Sequence, residues 1–356
     1  MITGDHPRTA ARIAADLGIV EEGTAALTGA DLDRMDEAAF REAVRGVSVY
    51  ARVAPVHKMR IVDALQAEGH IVAMTGDGVN DAPALKSADV GIAMGITGTE
   101  VARQAARMVL ADDNFATIVH AVREGRAIFS NIRKFLRYLL SSNMGEVLTV
   151  FLGVVFAGAI GLAENAEGVV LPLLATQILW INLVTDSGPA IAMGMDPPTG
   201  DVMARKPRRP TDRVIDARMW VGVLATGLVM ALATLLTIDW YLPGGFLHGD
   251  RSIENARTAG FTVLVLAQLF NTLNARSEGE SAFRGMFSNR WLWAAIALAA
   301  LAQAAVVHTS FLNAAFGTTP MDAGQWIVCI AMASAVLWAS ELRKIADRAL
   351  RREGRG

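Results

Sequence analysis

Residues 71–95 read IVAMTGDGVNDAPALKSADVGIAMG. An apolar run ends in a glycine-bearing turn that carries two carboxylates, Asp77 and Asp81, and a second apolar run follows a short helical stretch. Outward from this segment, β-branched runs and amphipathic stretches alternate: VSVYARV at 47–53, HKMRIVDALQAEG at 57–69, DVGIAM at 89–94 and EVARQAARMVL at 100–110. Such alternation predicts parallel strands joined by crossover helices. In sheets of that kind ligands sit beyond the carboxyl ends of the strands. Asp5, Arg52 and Asp77 each lie within a few residues of the end of a run, so the fold is expected to gather them in one crevice. Thr97 and Glu100 have capping-box spacing ahead of the next helix.

From residue 126 the character changes. RAIFSNIRKFLRYLLSSNMGEVLTVFLGVVFAGAIG, 126–161, starts as a basic amphipathic helix and continues as an apolar one with no break at the join. It reads as a stalk at 126–140 that enters a bilayer. Six spans are predicted, at 136–161, 173–193, 220–241, 257–274, 291–308 and 326–342, each near the ~20 residues that ~30 Å of hydrocarbon requires. The fourth is the least hydrophobic. A hydrophobic fraction of 53% and a mean hydropathy of +0.35 are too apolar for an ordinary soluble protein of 356 residues. The N-terminus lacks the basic start and unbroken apolar core of a secretory signal. Cys329 is the lone cysteine, which excludes an internal disulfide or a cysteine-based metal site and leaves it a packing role.

The loops 204–218 and 275–290 and the tail 341–356 are rich in Arg and Lys, whereas 162–170 and 242–254 are poorer in them or acidic. The positive-inside rule then puts the 1–125 domain, both termini and the basic 343–356 tail on the cytoplasmic side, with 141–342 as the transmembrane part. His308 and the tryptophans at 220, 291 and 326 read as interfacial anchors.

A turn that presents two carboxylates and backbone N–H groups suits a phosphate or a hard cation, with Mg²⁺ the natural choice. Thr3-Gly4-Asp5 adds a hydroxyl and backbone donors, and Lys58, at the start of a helix after Pro55, adds a positive charge. These are the parts that electrostatic stabilisation of phosphoryl transfer calls for. Any one Gly-Asp turn alone is ordinarily a plain loop.

Within the spans, Asn143 and Glu146 stand three apart, and Asn182, Thr185 and Asp186 at i, i+3 and i+4, so each set is expected to share a helix face. A mid-membrane carboxylate costs about 2.5–3.5 kcal/mol, so Glu146 and Asp186 call for a cation or protons. Gly188-Pro189 should interrupt the helix after Asp186 and free backbone carbonyls. An all-oxygen donor set suits Ca²⁺ better than a soft transition metal. Asn271 and Asn274 read as helix-packing residues.

TGDH (3–6), ARVAPVHKMRIVDALQ (51–66), MTGDGVNDAPALKSADVGIAMG (74–95) and EVARQAARMVLADDNFATIVHAVREGRAIFSNI (100–132) closely resemble the phosphorylation domain and stalk of P-type cation ATPases, nearest the calcium-pump branch. The resemblance continues through every span. It implies a haloacid-dehalogenase-like partial phosphorylation domain followed by an all-α six-helix transmembrane bundle. It implies that Asp77 binds the catalytic Mg²⁺, that Lys58, Thr3 and Gly4 hold the transferred phosphate of ATP, and that Asn80 and Asp81 complete the hinge. Asp5 and Arg52 would join the nucleotide site. Asn143, Glu146, Asn182, Thr185 and Asp186 would bind the transported cation, with Gln268 at a position that is Glu or Gln in different branches. The expected location is the plasma membrane, with no nucleic-acid partner.

The family's phosphorylated aspartate lies in a D-K-T-G-T sequence that does not occur in these residues. The nucleotide-binding and actuator domains and the first four membrane helices are absent as well. The chain thus resembles the C-terminal part of a pump and by itself is expected neither to form the aspartyl-phosphate nor to hydrolyse ATP. An internal Met taken as a start would account for the abrupt beginning. Two other readings stand beside the pump: a membrane-anchored phosphatase of the dehalogenase type, and a regulatory or degenerate membrane protein that binds cations without turnover.

Overall fold

A computed structural model describes residues 1–165, 170–198, 200–208, 211–247 and 249–353. Residues 166–169, 209–210, 248 and 354–356, which belong to the loops and tail that set the expected orientation, lie outside the described residues. The chain forms two compact units, Met1–Val122 with Lys206–Asp212, and Arg123–Arg205 with Arg213–Gly356.

The first unit is α/β. It runs β1 (Ile2–Thr3), α1 (Pro7–Asp16), β2 (Leu27–Thr28), α2 (Gly29–Arg34), α3 (Glu37–Gly46), β3 (Tyr50–Ala51), α4 (Pro55–Ala67), β4 (Ala73–Gly76), a 3₁₀ turn at Val79–Asp81, α5 (Ala82–Ser87), β5 (Val90–Met94), α6 (Glu100–Ala105) and β6 (Met108–Leu110). The strands make two three-stranded sheets, ordered β1-β3-β2 and β4-β5-β6, and every pairing is parallel. Parallel sheets need cover on their faces. Helix α4 serves both: Ile61 enters a cluster with Leu32, Phe40 and Tyr50, while its neighbour Val62 enters another with Met74, Leu85 and Ala93. Asp5 and Arg52 follow paired strands, since Thr3 lies opposite Ala51, whereas Asp77 follows β4 in the other sheet. Residues 100–110, read from sequence as one amphipathic stretch, divide into helix α6 and strand β6.

The cap of α6 departs from expectation. Thr99 is the N-cap and accepts the Ala102 amide at 3.3 Å, while Thr97 is held by Asp113. Asp113 has a left-handed backbone, φ 49°, and its carboxylate accepts the amides of Gly95, Ile96 and Thr97 at 2.6, 3.0 and 2.8 Å and the Thr97 hydroxyl at 2.7 Å. A carboxylate that wraps three consecutive amides outcompetes a capping role for Thr97.

The second unit is helical: α7 (Phe115–Val155, whose first turns belong to the first unit), α8 (Leu162–Asn165), α9 (Ala175–Trp180), a π turn at Ile181–Thr185, α10 (Ser187–Gly194), α11 (Ala217–Tyr241), α12 (Ile253–Ala275), α13 (Arg290–His308), α14 (Ser310–Phe316) and α15 (Ala323–Glu353). Helix α7 is continuous for 41 residues, about 60 Å at 1.5 Å per residue. It ends at Val155 rather than 161.

Among the described residues five helices, not six, are long and apolar enough to cross a membrane: α7, α11, α12, α13 and α15. The expected span at 173–193 is instead two short helices around the π turn. Helix α12 is the least hydrophobic of the five and the most buried, packed between α11 and α15. Polar residues are tolerated there because they face protein. Cys329 packs in the main apolar cluster as a free cysteine whose thiol donates to the Ala259 carbonyl at 3.7 Å. The Trp326 indole donates to His308 Nε2 at 3.1 Å, while Trp220 and Trp291 are exposed.

Asp113 carries a pH dependence. The Ile96 amide, against the opposing effect of burial and together with the Thr97 and Gly95 donors, holds its carboxyl down at about 2. A folded-state value below the unfolded ~3.9 stabilises the fold above pH ~4, and that stability is lost as pH falls through about 2. The thermal midpoint of the first unit, followed in the full chain between pH 4 and pH 2, should therefore fall, and fall less steeply in Asp113→Asn.

Candidate functional site

At the end of β4 the chain turns over Asp77-Gly78, and Asp81 folds back beneath it. Asp81 Oδ2 accepts the Asp77 and Gly78 amides, each at 3.2 Å, and Oδ1 accepts Lys58 Nζ at 2.5 Å. Burial acts to raise the Asp81 carboxyl, but the Lys58 ammonium and the two amides outweigh it, so the group lies below the usual carboxylate range. A Cβ on Gly76 would stand 2.5 Å from the Asp81 Cβ, so only glycine admits this fold-back.

Asp77 is fixed through its backbone, whose carbonyl accepts the Thr99 amide at 2.8 Å and the Thr99 hydroxyl at 3.2 Å. Its carboxylate and the Asn80 amide are exposed, and among the described residues no side-chain hydrogen bond occupies either. Two open oxygen donors three residues apart fit Mg²⁺, which binds through one or two carboxylates and keeps several waters. Among the described residues no three His, Cys, Asp or Glu side chains converge as a metal site. Thr3 Oγ1 donates to Asp5 Oδ2 at 2.8 Å and accepts the Asp5 amide at 3.2 Å, which closes the Thr3-Gly4-Asp5 turn on itself. Arg52 is exposed on a left-handed backbone, φ 49°.

The second locus lies among the apolar helices. Glu146 on α7 is buried, and its two oxygens accept Asn182 Nδ2 at 2.6 Å and Gln268 Nε2 at 3.0 Å. Asp186 is buried as well, and Oδ1 accepts the Tyr138 hydroxyl at 2.7 Å. Both carboxylates thus answer to the same face of α7, and α12 closes the cluster with Gln268. Among the described residues, three buried oxygens there have no hydrogen-bond partner: Asp186 Oδ2, Gln268 Oε1 and Ser142 Oγ. Thr185 is buried and donates to the Ile181 carbonyl at 3.1 Å.

The helix break lies ahead of Asp186, not after it. The Asp186 amide reaches the Ile181 carbonyl at 3.0 Å, a five-residue step, and Ser187 Oγ donates to the Asn182 carbonyl at 3.3 Å. Pro189 cannot donate to residue 185, and a first-turn position in α10 tolerates that loss. The interruption therefore falls in the preceding turn. Asn143 also departs from expectation: it is exposed, because the buried stripe of α7 runs through Tyr138, Ser142, Glu146 and Thr149. That stripe steps by four and three residues, which leaves position 143 to one side.

Sequence reasoning missed Tyr138 and Ser142. Their signal was present, since 138, 142 and 146 are polar at helical spacing in an otherwise apolar run. Asn271 and Asn274 do join helices, through Ser141 Oγ at 2.7 Å and the Val336 carbonyl at 3.1 Å.

Residues 1–89 match the haloacid dehalogenase-like hydrolase family, and residues 170–346 match the cation transporting ATPase C-terminus. A hydrolase-type α/β unit followed by cation-transport helices defines the class. The chain is 44% identical over 334 residues to a calcium-transporting ATPase of Bacillus subtilis, covering 94% of this chain and 36% of that protein. It is 41% identical over 352 residues to calcium-transporting ATPase 1 of Schizosaccharomyces pombe, 97% of this chain and 37% of the relative. It is 38% identical over 381 residues to an endoplasmic reticulum calcium ATPase of Aspergillus fumigatus, 98% and 38%. The chain belongs to the P-type cation-transporting ATPases and spans a little over a third of the length of these relatives.

Replacing Gly76 by Ala should expel Asp81 from beneath the turn and cost about 1–3 kcal/mol of stability in chemical denaturation of the full chain. Asp77→Asn, at an exposed carboxylate without a hydrogen bond, should leave stability unchanged.

Proposed function

We propose that the chain is the hinge and transport portion of an ATP-driven pump whose cargo is Ca²⁺. The supporting observation is the cluster of Glu146, Asp186 and Gln268, where among the described residues three buried oxygens lack a partner, two of them on helices apolar enough to span a membrane. A carboxylate, an amide carbonyl and a hydroxyl oxygen are hard donors of the kind Ca²⁺ collects six to eight of. Asn182 reaches Glu146, and Thr185 directly precedes Asp186 in the chain. Asn182 and Gln268 now offer N–H groups to Glu146; a half-turn of each terminal amide would present a carbonyl oxygen at the same point. Asn143, exposed in this arrangement, would join only after rotation of α7.

At the soluble locus Asp77 and Asn80 would hold Mg²⁺, which when bound neutralises phosphate charge. Lys58 would meet the transferred phosphoryl group of ATP, and Thr3 and Gly4 would supply a hydroxyl and an amide. Asp81 serves as the anchor that keeps Lys58 and the 77–78 turn in place. Asp5 and Arg52, at the ends of paired strands, would border the nucleotide. The nucleophile and the remaining domains of the pump come from outside these residues. The reading includes a plasma-membrane location, the 173–193 segment as a sixth, broken span, and a cytoplasmic side for the α/β unit and both termini.

The test is ⁴⁵Ca²⁺ binding by the chain in lipid nanodiscs. Glu146→Gln and Asp186→Asn should each weaken binding at least about tenfold, as expected for loss of a charged ligand worth roughly 1.5–3 kcal/mol. Asn143→Ala should weaken it less. Binding indifferent to both carboxylate changes would refute the assignment.

A further inference from the structure

Helix α10 lies between two carboxylates, Asp186 immediately before it and Asp196 two residues beyond Gly194. Helix α7 grips both. Tyr138 donates to Asp186, and one turn earlier Lys134 Nζ stands 2.6 Å from Asp196 Oδ2. The Asp196 side chain is 0% exposed and that of Lys134 4%. Arg276, just beyond the C-terminal end of α12, reaches Asp196 Oδ1 at 3.0 Å, and Asn289 reaches the same oxygen at 3.2 Å. The backbone of this segment is held too: Asn131 donates to the Gly194 and Asp196 carbonyls at 3.2 and 2.7 Å, and Asn289 to the Ala192 carbonyl at 2.9 Å.

Stability does not account for so much buried charge, because an apolar replacement of a buried ion pair is commonly as stable or more so. Position does. The π turn at Ile181–Thr185 breaks the regular ladder on the N-terminal side of Asp186, so the start of α10 rests there on a five-residue step and on the Tyr138 contact rather than on a continuous helix. The Asp196 end gives the register of α10 a second, fully buried anchor.

We propose that Asp196, through Lys134, is a positioning residue that fixes α10 on α7 and thereby sets where the Asp186 carboxylate stands. The ion-binding part of this proposal rests on the cation-site reading above; the mechanical part does not. Neither Asp196 nor Lys134 touches the cluster of Glu146, Gln268 and Asp186, so they act on it only through α10 and α7.

The experiment measures amide hydrogen exchange and ⁴⁵Ca²⁺ binding on the full chain in nanodiscs, for the parent, Lys134→Met, Lys134→Arg and Asp196→Asn. In Lys134→Met and Asp196→Asn, exchange at 187–195 should rise at least about tenfold while α11 and α15 stay within about twofold, the mark of local rather than global opening. Calcium affinity should fall about tenfold in both, and Lys134→Arg, which keeps the charge, should recover most of each effect. Unchanged exchange at 187–195 overturns the proposal. So does a uniform rise across all helices, or a Lys134→Arg variant no better than Lys134→Met. If the parent binds no Ca²⁺ yet exchange follows the expected pattern, the cation reading fails and the clamp stands.

Discussion

The structure of the helical unit turns on one carboxylate, Glu146, bracketed by the Asn182 and Gln268 amides inside a bundle of apolar helices. At mid-membrane such a group costs about 2.5–3.5 kcal/mol, and hydrogen bonds to a charged acceptor return roughly 1.5–3 kcal/mol each. That balance closes only if three helical segments meet around it without gaps. Small residues let a further helix, α11, close on α7 beside it: a Cβ on Gly145 would stand 2.9 Å from the Met230 sulfur, and one on Gly227 would stand 2.8 Å from Met144 Cγ. Helix α12, which supplies Gln268, is accordingly the least apolar of the long helices and the most enclosed.

The π turn follows from the same constraint. A regular helix through 175–194 would carry its ladder unbroken past Asp186. Pro189 forbids that at residue 185, and the five-residue step from Asp186 to Ile181 absorbs the mismatch. The turn leaves Asn182 free to reach Glu146 while Asp186 turns to Tyr138, so one interruption lets two polar side chains four residues apart serve different partners on α7.

Much of this was legible in the sequence. The alternation around 71–95 announced parallel α/β structure, and the apolar runs placed five of the long helices to within a few residues except at the ends of α7 and α15. The carboxylates Glu146 and Asp186 stood out because charge in an apolar run is costly. What could not be read were choices made by competition between neighbours. Thr97 had cap spacing, but Asp113, sixteen residues away, claimed it. Asn143 had the right spacing to Glu146, yet Ser142 took the inward position. The Asp196 cluster was invisible for another reason: Lys134 comes from the stalk and Arg276 and Asn289 from opposite ends of the 275–290 loop, all stretches whose charge reads simply as basic.

The two loci use their acids alike. At the soluble one, Asp81 is turned inward and satisfied by Lys58 and two amides, and its neighbour Asp77 is held only by backbone, with its carboxylate open. At the helical one, Glu146 has a donor on each oxygen, and Asp186 has one oxygen filled and one bare. A fully satisfied carboxylate meets a cation only once its donors turn away, as a half-turn of the Asn182 and Gln268 amides would allow at Glu146. An incompletely satisfied one, kept still by its surroundings, gains most. On the proposed cation-site reading the anchored acid sets geometry as well as lending charge and the open acid is free to bind at once, so a hard cation would be held without first unfolding the frame around it.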